Sequence, residues 1–77
     1  MVDYGKIEEH MPVICNEGNE FATVDHLDGD NFIKLTQDNS GQHHWIPVEW
    51  VTAIDEHIHI DRSASQAMKD WLTSRPV

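Results

Sequence analysis

Two histidine pairs and a scatter of carboxylates are the groups in this chain that could do chemistry. His57 and His59 stand two apart in the run HIHI. Alternate residues of a strand share a face, so both imidazoles would point the same way. Imidazole suits zinc, copper and nickel, and such a pair offers two of the donors that an ion of this kind needs. Asp55, Glu56 or Asp61 could reach across to supply a third, and Asp55 is the candidate metal ligand beside His57 and His59. The plainer reading is a solvent-facing strand surface with Ile58 and Ile60 turned into the core.

His43 and His44 behave differently. As chain neighbours on a strand they face opposite ways and cannot chelate one ion as a simple pair. With Ile46 inward, His44 falls on the core side, half-buried and hydrogen-bonded to backbone. His43 then faces out beside Trp45. A part-exposed Trp next to a His is the sort of residue that anchors a protein interface. His43, His44, Trp45 and Trp50 are therefore the candidate partner-binding residues, against the alternative that one or both Trp are core. Asp25, Asp28 and Asp30 around Gly29 lack EF-hand spacing and read better as a hairpin turn. Cys15, between apolar neighbours, reads as a small buried hydrophobe. There is no Ser-His-Asp order, glycine-rich phosphate loop or zinc-ribbon spacing. No catalytic residue and no cofactor is expected, and the chain is not expected to be an enzyme.

Composition narrows the partners. Seventy-seven residues make one domain with a thin core, and 39% hydrophobic content is enough to fold it. Fourteen acidic against five basic residues give a formal net charge of −9. That surface repels phosphate backbones and anionic lipid, so neither nucleic acid nor membrane is expected as a partner. Basic proteins and metal cations are favoured. Cys15 is the single cysteine, which fits a reducing cytoplasm. Asp3, Lys6, Glu8 and Glu9 interrupt any apolar signal-like run, and no stretch is long enough to span a bilayer.

The elements that must position these residues are mostly short strands. Ile7 and Met11 could form one helical turn before Pro12. Strands are expected over 12–16, 20–27, 31–36, 42–46, 52–55 and 57–60, with turns at Glu17-Gly18-Asn19 and Asp28-Gly29-Asp30. In the second strand Phe21 and Val24 both look like core although their parity differs, so a bulge or strong bend is expected there. Ile33 and Leu35 should face in. Pro47 should stop its strand and start a tight helical turn. Ser63 is an N-cap, and Gln66 completes a capping box. Ala64, Ala67, Met68, Trp71 and Leu72 form one apolar helical stripe, and Pro76 ends it.

The run IPVEWVTAID followed by HIHI resembles the closing half of a PRC-barrel, a small β-barrel domain, and Met11 to Leu35 resembles its opening half. More closely, GQHHWIP followed by Trp50-Val51, with Ala67-Met68-x-x-Trp71, resembles a family of short bacterial proteins, domain of unknown function two-one-seven-one. Ala22 stands where PRC-barrels often have Gly. The resemblance implies a mainly β fold: a small PRC-barrel-like β-barrel of five to six strands with a C-terminal α-helix over 63–74 and a partly flexible N-terminus over 1–10. It transfers no activity. Two functions are expected in order: a non-enzymatic protein-interaction module or adaptor, as a homodimer or with another protein, and then a metal-binding or metal-sensing protein using surface histidines.

Overall fold

The computed structural model describes residues 4–29 and 31–74. A 3-10 turn, Tyr4–Lys6, precedes six strands: β1 (Pro12–Ile14), β2 (Glu20–Asp28), β3 (Phe32–Leu35), β4 (Trp45–Pro47), β5 (Val51–Ile54) and β6 (Ile58–Ile60). A second 3-10 turn, Val48–Trp50, joins β4 to β5, and one helix, α1 (Ala64–Asp70), follows β6. The helical turn expected between Ile7 and Met11 lies earlier, at Tyr4–Lys6. Residues 1–3, Asp30 and 75–77, including Pro76, lie outside the described residues.

The strands form one mixed sheet in the order β4-β3-β2-β1-β6-β5. The β1–β6 pair is parallel and the others antiparallel. β2 is the long element that bends. Its first half pairs with β1 and its second half with β3, and the register shifts between Val24 and His26. The extra residue there changes the parity, so Val24 and Leu27 both pack into the core. The irregularity expected between Phe21 and Val24 is a separate one on the β1 side, where consecutive Val13 and Ile14 pair with Ala22 and Glu20 and leave Phe21 as an extra residue. Val13, Val24, Ile33, Leu35, Ile46 and Ile58 are fully buried, as β-branched and aliphatic residues on the inner face of pleated strands should be.

The sheet does not close into the expected barrel. Closure would require β4 to pair with β5, its neighbour across the Val48–Trp50 turn. Pro47 has no N–H to offer, and Trp45 has given its backbone groups to another partner. Trp45 N–H donates to the Leu72 carbonyl and Leu72 N–H donates to the Trp45 carbonyl, both at 2.9 Å. The segment after α1 thus lies along the outer edge of β4 and covers it.

That segment also corrects the helix. α1 spans Ala64–Asp70, not 63–74, because Trp71 takes an extended backbone (φ −66°, ψ 158°) and leads Leu72 onto β4. Ser63 caps it as expected, its hydroxyl accepting from Gln66 N–H. Gln66 does not complete the box: its amide donates to Asp70 at 2.7 Å instead. Of the apolar stripe, Ala67 is fully buried and Trp71 packs on the core, but Met68 is 48% exposed.

Candidate functional site

Asp55, Glu56 and His57 form the turn between β5 and β6. Asp55 N–H donates to the His57 carbonyl at 3.0 Å, and the Asp55 carboxylate accepts from His57 N–H at 2.8 Å. This local side-chain bond is what makes Asp a turn residue. It also fixes the carboxylate beside the outer face of the hairpin. Ile58 and Ile60 point in, so His57 and His59 point out on that same face. The His59 Nε2 lies 3.2 and 3.1 Å from the two Asp55 oxygens, and His57 Nδ1 lies 3.5 Å from Oδ1. The two imidazoles meet edge to face with centroids 6.1 Å apart.

One donor atom from each of Asp55, His57 and His59 lies within 4.8 Å of the others, and this is the one such trio among the described residues. Zinc–ligand bonds of about 2.0–2.2 Å place tetrahedral donors roughly 3.3–3.6 Å apart, so small side-chain adjustments would complete the set. The other two carboxylates weighed from sequence, Glu56 and Asp61, are not part of it, and Asp61 is bound to Arg62 at 2.7 Å. The backbone amide of His57 is the main reason the Asp55 carboxyl sits below its usual range; some desolvation opposes this, and the two imidazoles add to it. The carboxylate is therefore ionised and available as a donor across the neutral range.

His57 and His59 also form part of the wall of a cleft of about 780 Å³, with Ile14, Cys15, Thr52 and Ile60 among its other residues. Cys15 is 2% exposed, as expected for a small hydrophobe. Burial pushes its thiol up, but backbone amides of Asn19, Glu17 and Ala64 outweigh this and leave it lowered.

A second polar cluster forms around His44. Asp38 opens a tight loop in which its Oδ1 accepts from Ser40 N–H (2.8 Å), the Ser40 hydroxyl (2.6 Å) and Gln42 N–H (3.0 Å). Gly41, at φ +85°, makes the turn that brings these donors round. The Asp38 Oδ2 accepts from His44 Nε2 at 2.7 Å. The Ser40 hydroxyl, then His44 and the Gln42 amide, hold the Asp38 carboxyl well below the usual range. A carboxylate can only accept, so His44 Nε2 carries the proton. The other ring nitrogen, Nδ1, is buried without a hydrogen-bond partner among the described residues. The ring stacks on Trp71 with centroids 3.7 Å apart and planes 13° apart. His44 is thus on the core side as expected, but it binds a carboxylate and an indole, not backbone. It joins the Asp38 loop to the segment that ends α1. Sequence reasoning missed Asp38 and the role of Trp71. The Asp-Asn-Ser-Gly composition signalled an Asp-led turn; nothing local signalled that the free oxygen would face His44.

A family model described as "Uncharacterized protein conserved in bacteria (DUF2171)" matches residues 7–68. The chain belongs to this family. The matched span holds all six strands, the Asp55–His57–His59 trio and the Asp38–His44 pair, while Trp71 lies beyond it. No curated protein and no solved structure matches the chain.

The partner-binding residues expected from sequence are mostly internal. Trp45 is 7% exposed, not outward. Its Nε1 donates to Asp28 at 2.8 Å, the Lys34 ammonium lies 5.7 Å from its ring centroid, and the Leu72 segment covers its edge of the sheet. Trp50 is also buried, with the Arg62 guanidinium 3.8 Å from its ring centroid. His43 is half-buried and its Nδ1 donates to the Leu35 carbonyl at 2.8 Å. Both Trp side chains are thus buried rather than exposed.

Proposed function

We propose that this protein is a non-enzymatic metal-binding domain that holds a transition-metal ion, zinc or nickel, through Asp55, His57 and His59. The observation that carries this reading is the convergence of three donor atoms within 4.8 Å on one short hairpin. The donor chemistry fits: two imidazoles and one carboxylate suit zinc and nickel, and three protein donors leave at least one position open. The acidic chain, at −9, favours cation uptake. Calorimetric titration with zinc near neutral pH tests it. Wild type is expected to bind one ion, and His57→Ala and Asp55→Ala to lose binding, while His26→Ala keeps it. Equal heats from His57→Ala and wild type would refute the site.

A protein-interaction role is the second reading, moved from the Trp residues to the C-terminal segment. Met68 (48%) and Leu72 (37%) are exposed large apolar residues there, and self-association through them would extend a thin core. Sedimentation equilibrium tests it: a dimer lost in Met68→Lys supports the reading, and a monomer at high concentration removes it. Kinship with PRC-barrels belongs to the proposal as well. The Ile46-Pro47 stop, the turn through Val48 and the Ile54-Asp55 lead into β6 support it.

A further inference from the structure

The geometry points to the cleft beside Asp55, His57 and His59 as a binding site for a small organic carboxylate with an apolar body, its head group held on the bound metal ion. This rests on the metal reading and adds the ligand class. Three protein donors leave a fourth position for an outside group in a tetrahedral site. His57 and His59 belong both to the donor set and to the cleft wall, so an ion held by the trio would lie next to the cleft. The cleft, at about 780 Å³, is of a size that takes small molecules.

Charge and shape then select the ligand. Among the described residues, those lining the cleft include Asp61 and no Lys or Arg. Without the ion, an anion would meet the chain's net charge of −9 with no Lys or Arg among the described lining residues to offset it. A divalent ion with one carboxylate and two neutral imidazoles carries one net positive charge, the attractive element an anionic head group needs. Beyond the head group, Ile14 offers apolar contact, and the hydroxyl of Thr52 stands at the wall. A bare inorganic anion would satisfy the ion and leave these surfaces unused. A carboxylate with an aliphatic or aromatic body uses both.

Amide NMR spectra of the zinc-loaded and metal-free protein, each titrated with benzoate and separately with inorganic phosphate, test this. Benzoate is expected to shift the amides of Ile14, Thr52 and Ile60 saturably in the zinc-loaded form, and to bind at least about tenfold more weakly without zinc, as removal of a nearby unit charge implies. Thr52→Trp, which fills the cleft and suits a strand position, should keep zinc and lose benzoate. Benzoate binding that is indifferent to zinc, phosphate binding as tightly as benzoate, or a zinc-loaded protein that ignores benzoate would each overturn the inference while leaving the metal site standing. Failure to bind zinc at all would overturn both readings.

Discussion

Replacing Trp71 with Ala removes the ring that stacks on His44 and leans on Phe21, 6.3 Å away. It also frees the segment that carries Leu72 onto β4. Truncating a fully buried Phe or Trp to Ala costs about 3–5 kcal/mol. Trp71 is only half-buried, so the loss should fall lower, at about 2–3 kcal/mol, of which roughly 0.5–1.5 kcal/mol is aromatic contact. A chain of 77 residues has a total stability of about 4–12 kcal/mol, so this is a large fraction. With a urea slope near 1 kcal/mol per molar, the unfolding midpoint should fall by about 2–3 M. Met68→Ala is the control, three residues away on α1 and 48% exposed; it should stay within about 0.5 kcal/mol of wild type. Far-UV circular dichroism should follow both, since the substitution itself alters tryptophan fluorescence. If Trp71→Ala costs less than about 1 kcal/mol, or no more than Met68→Ala, then the stacked His44–Trp71 contact does not fasten the C-terminal segment.

Gly41→Ala should cost about 1–2 kcal/mol in urea unfolding, because its φ of +85° is a left-handed conformation that a Cβ resists. Trp45→Phe should cost about 1.5–3 kcal/mol through the lost hydrogen bond to the Asp28 carboxylate; thermal unfolding of the two proteins side by side checks this. The Asp38 carboxyl is held well below its usual range in the folded state. A carboxylate depressed by folding stabilises the protein fully above the unfolded value of about 3.9 and loses that contribution progressively as pH falls from there toward the lower folded value. Asp38→Asn should therefore lower stability at neutral pH and flatten its decline below about pH 4. Parallel acid-limb curves for the two proteins would contradict the assignment.

What was legible in the sequence was local. The period-two pattern turned Ile33, Leu35, Ile58 and Ile60 inward, and it left His57 and His59 together on the outer face. Asp55 joins them because turn chemistry acts over two residues, where spacing is a sufficient guide. The parity conflict between Phe21 and Val24 marked the irregularity at Phe21 in the β1–β2 pairing, while the second shift, between Val24 and His26, was not signalled. The other misses share one cause, a contact made far along the chain. Trp45 has the parity of an outward residue, but Leu72, 27 residues later, covers its edge of the sheet. The same pairing occupies β4 and leaves the barrel open. Helical periodicity ran through Trp71 and Leu72, yet stacking on His44 and bridging to Trp45 end the helix at Asp70. Propensity and periodicity do not report such competition between a helical turn and a distant partner.

The trio Asp55, His57 and His59 is tested most directly by following imidazole carbon resonances while zinc is added in steps. A metal ion must find each imidazole neutral, so the titration belongs at neutral pH or above. The expected result is that His57 and His59 shift together and saturate at one equivalent of zinc, while His43 and His44, held by Leu35 and Asp38, stay in place. Zinc that shifts His10 and His26 as much as His57 and His59, or that shifts none of them, would contradict a metal site on this hairpin.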